Sequence, residues 1–446
     1  MVQQMPLKQE REEKKNRINA LVLNCYLNLR FAANINPMLN KFFHFILFLF
    51  VAQLSVAQST DDVIRSLKND VTYLADDKLE GRETGTKGAE LAADYISKRF
   101  AELGLQPKGD NATFFQVFNQ KPKGVHGETL PDSVKEISVK NVIGFIDNGA
   151  ATTVVIGAHY DHLGYGDEGS LNTGEKAIHN GADDNASGTS ALLQIAKDLK
   201  GKNANNNYLL IAFSGEEKGL WGSNYYSKNT TIPVTSINYM INMDMVGRLA
   251  ENKLAIYGTG TSPVWNDLLK KVIPDTIKLT KTESGIGPSD HTSFYLKDIP
   301  VLHFFTGQHA DYHKPSDDVD KINFSGIVAV INFIEKVITE LNDDDKLAFT
   351  KTKEEDKAST PAFKVTLGVM PDYMFSRIGM QISAAREGKP AANAGLIAGD
   401  IVIKMGKTNV ADMQTYMQAL SLYKVGDKVK VVVLRDGKKK IVKVVF

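Results

Sequence analysis

Between Val142 and Leu341, short apolar runs alternate with longer stretches whose apolar residues recur at helical spacing. The runs are NVIGFI, TTVVIGAH, NNYLLIAFS, INYMINMD and IPVLHFF; the helical stretches include 188–199, 264–272 and 324–341. Continuous apolar runs of strand length are buried on both faces, and helices between them carry the chain back so that successive strands lie parallel. This pattern constrains the fold more than any other feature. It predicts an α/β architecture, a doubly wound and mostly parallel sheet with helices on both faces. Upstream, Leu67, Val71 and Leu74, then Leu91, Tyr95 and Phe100, repeat at helical spacing on either side of the glycine-marked loop LEGRETGTKG.

The chain of 446 residues is too long for one ordinary domain. From Leu341 to Pro361 it is rich in Asp, Lys, Glu and Thr and nearly free of large apolar residues. A solvated linker is therefore expected over 346–362, joining a larger unit at 58–345 to a small β-rich unit with one helix at 363–446. Lys plus Arg number 53 and Asp plus Glu 52, a balance that argues against nucleic acid as a partner. Cys25 is the single cysteine, so no intrachain disulfide forms. From Met38 the chain reads as a signal peptide over 38–57: Lys41, an apolar run from Phe42 to Leu54, then Ser55 and Ala57 at signal-peptidase spacing. The run is shorter than the roughly 20 residues of a membrane span, so a mature form without a stable transmembrane segment is expected outside the cytoplasm, periplasmic or extracellular. Residues 1–37 read as a non-native extension upstream of a start at Met38.

Ligands of an open parallel sheet gather beyond the carboxyl ends of its strands, and the residues there are chemically distinctive. TTVVIGA is followed by His159 and Asp161, NYLLIAFSG by Glu216 and Glu217, and INYMINM by Asp244. IPVLHFFTG leads to His309, Asp311 and His313, and a loop before a helix presents Asp183 and Asp184. Histidines with several carboxylates and no cysteine suit zinc or a similar divalent ion. Carboxylates at this density repel unless cations neutralise them, and two bridged metal ions would also activate water. Glu216 and Glu217 are neighbours whose side chains diverge, so one serves as ligand and the other as general base.

HYDHLG, GADDNASG, SGEEKGLWGS, NMDMVGR and YHKPSDD occur in this order. Together they resemble the aminopeptidase S/aminopeptidase Y family of co-catalytic zinc metallopeptidases, over roughly residues 70–341. The resemblance implies two divalent ions, most simply Zn2+, with His159, Asp184 and Asp244 around one and Asp184, Glu217 and His313 around the other. It makes Glu216 the general base, Asp161 the carboxylate that orients His159, and Tyr312 a donor to the oxyanion. His162, His179, His303 and His309 match no ligand position and are read as structural. Asp183 is read as a turn or cap residue, and Asp290 with His291 either supports the site or caps a helix. The implied activity is removal of N-terminal residues from peptides with a free amino terminus. A glutaminyl-cyclase-like enzyme and a catalytically silent peptide-binding scaffold are the alternatives.

The last unit, with IGMQISAAREGKPAANAGLIAGDIVIKMGKTNV, resembles bacterial PDZ domains. The resemblance implies a groove that takes a peptide C-terminus as an added strand, with Arg377, Ile378, Gly379 and Met380 as the carboxylate-binding loop.

Overall fold

The computed structural model describes residues 60–122, 135–172, 174–352, 365–371, 375, 377–385, 388–411 and 413–446. The signal-peptide reading, the upstream extension and Cys25 lie outside them.

The larger unit begins with helix α1 (described over 60–74) and α2 (Lys87–Glu102), then strands β1 (Gln106–Pro107), β2 (Phe115–Gln120), β3 (Ile137–Ile146) and β4 (Thr152–His159). There follow α3 (Gly188–Leu199), β5 (Asn206–Phe213), α4 (Trp221–Lys228), β6 (Ile237–Met243), β7 (Lys253–Tyr257), α5 (Trp265–Val272), β8 (Lys278–Thr282), α6 (His291–Tyr295), β9 (Val301–Phe305) and α7 (Phe324–Glu340). The sheet order is β1-β3-β5-β4-β6-β9-β7-β8, with β2 on β3.

Strands β5, β4, β6 and β9 form the parallel centre. The flanks are mixed: β3 runs antiparallel to β5 and β7 antiparallel to β9. Only residues 147–151 separate β3 from β4, too few for a crossover helix, so the chain reverses there. The flanking strands carry weaker apolar signals, which is why the sequence shows the parallel centre more clearly than its edges.

Both faces of the sheet are covered. Val154, Ile156, Leu210, Ala212, Ile241 and Leu302 enter one core with α2, α3 and α7. The alternate residues Val155, Leu209, Ile211, Phe213, Met240 and Val301 enter a second core with Phe294 and Tyr295 of α6. This two-residue alternation is the pleat at work, and burial of each such side chain contributes about 1.5–3 kcal/mol. Among the described residues, no helix is long and apolar enough to cross a membrane.

The C-terminal unit is an antiparallel sheet of β10 (Val369–Pro371), β11 (Met380–Ala385), β12 (Ile401–Met405), β13 (Thr408–Asn409), β14 (Lys428–Arg435) and β15 (Lys438–Val445), with helices α8 (Pro390–Asn393) and α9 (Met413–Ser421). Its core holds Leu367, Ile382, Val402, Ala419, Val431 and Val444.

Residues 346–352, the first part of the expected linker, run along the larger unit. Leu347 is buried and its amide donates to the Asn238 side chain at 2.8 Å. Phe349 packs beside Tyr295, and the Thr352 amide donates to the Tyr295 hydroxyl at 3.0 Å. Two apolar side chains spaced along a polar segment anchor residues 346–352 to the larger unit.

Candidate metal centre

His159 ends β4, Glu216 and Glu217 follow β5 by two residues, Asp244 directly follows β6, and the loop after β9 carries His313. Asp184 lies in the short helical turn Ala182–Ser187 that opens into α3. Gly181 precedes this turn with φ +56°, and a Cβ there would strike the Asp184 carbonyl oxygen and the His162 ring. Only glycine lets the loop come this close. The Asp184–Asn185 peptide bond is cis.

The five residues named as ligands come together. His159 Nε2 lies 3.3 Å from Asp184 Oδ1 and 3.2 Å from Asp244 Oδ1. On the other side, His313 Nε2 lies 3.2 Å from Asp184 Oδ2 and 3.4 Å from Glu217 Oε2. Asp184 therefore turns one oxygen towards each half of the cluster.

A sixth residue joins them. His162 Nδ1 is 2.8 Å from Glu217 Oε1 and 3.8 Å from Asp184 Oδ2. Two triads have ligand atoms near enough to share an ion: His159, Asp184 and Asp244, and His162, Asp184 and Glu217. His162, read from the sequence as structural, thus lies among the candidate ligand atoms. The available signal was the HxxH spacing of HYDHLG, which carries the chain past the strand end and back to the same pocket.

The electrostatics fit positive charge at both positions. Burial alone would push His159 down, yet Asp244, Glu216, Asp161 and Asp184 hold its imidazole well above the usual value. Burial likewise opposes His313, while Glu217 and Asp184 raise it well above. Asp184 goes the other way: burial favours its protonated form, but His159, His162 and His313 hold it well below the carboxylate range. Cation-seeking carboxylates facing imidazole nitrogens across 3 to 4 Å are a donor set suited to a hard or borderline divalent ion.

Glu216 is distinguished from Glu217 by its surroundings. Burial pushes its carboxyl well above the ordinary range, with Asp244, Glu217 and Asp290 adding to the rise against His159. Glu217 is pulled to about 2 against burial by His313 and His162.

Asp161 sits beside both His159 and the turn that carries Glu216. Its carboxylate stands 3.7 Å from His159 Nδ1, which lies 3.2 Å from the Asp161 backbone carbonyl. The carboxylate accepts from the Glu216 amide at 3.2 Å and the Thr84 hydroxyl at 2.8 Å. Backbone carbonyl and carboxylate thus both face His159 Nδ1, and the carboxylate also holds the turn that carries Glu216.

Asp183 accepts from the Gly247 amide at 2.6 Å and the Ser187 hydroxyl at 3.0 Å, and His309 Nε2 sits 3.0 Å from its other oxygen. Asp317, which sequence reasoning did not single out, accepts from the Asp183 amide at 3.0 Å and the Asp184 amide at 3.0 Å. His179 contacts the Ser170 hydroxyl at 2.7 Å.

Asp290 precedes α6 without capping it. Burial, with Asp161 and Asp244 adding to it against His159 and Ser223, pushes its carboxyl to about 7. His291 stacks on His303 at 4.4 Å. His303 belongs to the cleft, which is lined by Asp184, Glu216, Glu217, Asp244, Met245, Tyr257, Pro288, His303, Phe305, Gln308, Tyr312 and His313. Tyr312 stacks on His313 with centroids 3.8 Å apart.

In the C-terminal unit, Arg377, Ile378, Gly379 and Met380 lead into the start of β11. The Gly379 amide donates to the Ala411 carbonyl at 2.8 Å, and Met380 pairs with Val402. Strand β11 has partners on both sides, β10 and β12, and the order of the described strands ends at β10 on one side and at β15 on the other.

Residues 141–338 match the model of peptidase family M28, and residues 349–445 match that of the PDZ domain. The PDZ match begins at 349, but Phe349 and Thr352 pack against the larger unit, and the buried core of the C-terminal unit starts at Val365. A probable leucine aminopeptidase of Arthroderma otae is 26% identical over 220 residues, 46% of this chain and 58% of its own length. Aminopeptidase YwaD of Bacillus subtilis is 24% identical over 285 residues, 60% and 55% of the two chains. Aminopeptidase Y of Saccharomyces cerevisiae is 27% identical over 256 residues, 52% and 45%. The chain spans about half the length of the curated relatives it matches. The likeness carried by the motifs is to these peptidases, with a PDZ-type unit added at the C-terminus.

Proposed function

We propose that this chain is an exported metallo-aminopeptidase that removes N-terminal residues from peptides. The observation that carries this reading is Asp184, whose two oxygens face His159 on one side and His313 with His162 on the other. His159 and Asp244 would hold one divalent ion and Glu217 and His313 the other, with Asp184 available to both and His162 a competitor for the second position. Zinc bound there would supply a Lewis acid for the scissile carbonyl and lower the pKa of water to the physiological range.

The chain's own groups do the rest. Glu216, kept protonatable by burial, takes a proton from the attacking water and delivers it to the leaving amine. Asp161 holds the Glu216 amide and thereby the aim of that carboxylate. Tyr312, on the cleft wall beside His313, donates to the developing oxyanion. The substrate's first side chain lies against Met245, Tyr257 and Phe305, and its free amine faces the carboxylates at the cleft floor.

The C-terminal unit receives a peptide as a strand added to the edge of β10. The apolar run Phe42–Leu54 and the small residues after it support export.

The test is hydrolysis of a panel of aminoacyl and N-acetylated aminoacyl substrates, with and without a chelator. Cleavage of free-amine substrates alone, abolished by chelation and restored by zinc, is expected. Cyclisation of N-terminal glutamine without hydrolysis would make the chain a cyclase, and inactivity of the zinc-loaded protein would leave it a scaffold.

A further inference from the structure

Residues 80–84 contribute none of the groups discussed as ligands or base, yet they grip the loops that carry His159, Asp184 and the Glu216–Glu217 pair. Glu80 and Arg82 have φ of +47° and +50°, backbone that non-glycine residues avoid unless their surroundings enforce it. Between them, a Cβ on Gly81 would lie 2.5 Å from the His179 carbonyl oxygen and 2.6 Å from that of Gly164. The segment is wedged against the walls of the site.

Arg82 is fully buried. Its Nε donates to the Tyr160 carbonyl at 2.8 Å, Nη1 to the Asn180 carbonyl at 2.7 Å and Nη2 to the Gly181 carbonyl at 3.0 Å, with a further bond from Nη1 to Leu74. Tyr160 sits between His159 and Asp161, and Gly181 lies just ahead of Asp184. One guanidinium thus ties together the two loops that supply the first triad's His159 and Asp184. All four acceptors are neutral carbonyls. Asp161, Asp184, Asp317 and Glu217 all support its charge against burial.

The next two residues extend the grip. Glu83 Oε1 accepts from Lys218 Nζ at 3.0 Å, one residue beyond Glu217. The Thr84 hydroxyl donates to Asp161 Oδ2 at 2.8 Å, while Asp161 Oδ1 holds the Glu216 amide.

We propose that Arg82, Glu83 and Thr84 are positioning residues that hold the metal centre's loops in register before any metal binds. Arg82 supplies a permanent counter-charge behind the carboxylates. Fixing ligands in advance removes the ordering cost from metal binding, and partners of this kind typically change metal affinity by about 10–100-fold. The inference rests on the reading that the cluster binds metal.

The experiment is zinc titration of the metal-stripped full chain by calorimetry and chelator competition, alongside the melting temperature of each metal-free variant. Thr84→Val is nearly isosteric and is expected to melt like the wild type while binding zinc about tenfold more weakly. Thr84→Ser, which keeps the hydroxyl, is expected to restore the affinity. Arg82→Lys keeps the charge but loses the fork and is expected to weaken zinc binding at least as much as Thr84→Val. Wild-type zinc affinity in both Thr84→Val and Arg82→Lys overturns the clamp alone. A wild-type chain that binds no zinc overturns the metal-centre reading with it.

Discussion

Two buried aspartates, Asp400 in the C-terminal unit and Asp184 in the larger one, sit in opposite electrostatic settings. Asp400 is fully buried and meets Arg435 through two charge-assisted bonds, at 2.6 Å to Nε and 2.7 Å to Nη2. It also accepts from the Ile397 amide at 3.0 Å. Burial works against its ionised form, and Arg435 and the Ile397 amide nonetheless hold it below the usual range. Its charge is settled within the chain. Asp184 shares its pocket with Glu217, Glu216 and Asp244, and the positive charge opposite it comes from imidazoles that must be protonated to supply it. A buried carboxylate bonded to a guanidinium fork is a structural joint; carboxylates contacted by histidines, with the nearby guanidinium of Arg82 bonded to carbonyls instead, are a place for a cation. The first is complete without a ligand, the second is not.

The largest test of that contrast is Glu216→Gln. The side chain keeps its volume but loses the ability to carry a proton, and general-base loss typically lowers rate by about 100- to 10,000-fold. Turnover of an aminoacyl substrate is expected to fall by about 1,000-fold, with zinc content measured by mass spectrometry unchanged. Full turnover would remove Glu216 from the reaction.

Zinc itself gives the next effect. Bound only by the folded site, zinc at 1,000 times its dissociation constant raises stability by about 4 kcal/mol. Calorimetry of the metal-free chain with added zinc is expected to show the larger unit's transition rising by several degrees and the C-terminal unit's staying in place. A shift of both transitions together would erase the contrast between the two regions.

Asp400→Asn attacks the complete joint instead. It leaves Arg435 facing a neutral partner and weakens two charge-assisted bonds. The C-terminal unit is expected to melt earlier, while turnover of a small aminoacyl substrate remains at the wild-type level. Equal loss of turnover would show that the joint supports the cleft.

These contrasts also explain what the sequence made legible. Strands β4, β5, β6 and β9 were visible because each is a continuous apolar run, and the parallel-sheet rule then placed His159, Glu216, Glu217, Asp244 and the His313 loop at one rim. Arg82, Asp317 and the hydrogen-bond geometry of Asp161 were not visible. Their partners are mostly backbone groups, up to 134 residues away, with the Thr84 hydroxyl added for Asp161, and contacts at that range leave no mark in a sequence. His162 was passed over for the same reason: once the chain leaves β4, no periodicity says which way a side chain turns. That the C-terminal sheet ends at β10 and at β15 depends on a strand order that the local motif does not encode.

The smallest effect concerns a carboxylate that has neither solution. Glu335 on α7 is pushed to about 7 by burial, then by the neighbouring charge of Asp198, with Lys202 opposing and a hydrogen bond to Asp198 favouring the protonated form. Its folded pKa is raised above the unfolded value, so the folded chain holds this proton more tightly. The contribution to stability is present below about pH 4.5 and is lost as pH rises from there to about 7. Above pH 7 the fold carries two adjacent carboxylates with no guanidinium and no pair of histidines between them. Glu335→Gln supplies a permanent donor to Asp198 and removes one charge. Because Glu335 is partly exposed, the gain is discounted to ~1 kcal/mol at pH 8 and close to none at pH 4.5. Urea denaturation at the two pH values measures it. A gain equal at both would mean that Glu335 is ionised across the whole range, and that Asp198 does not share its proton.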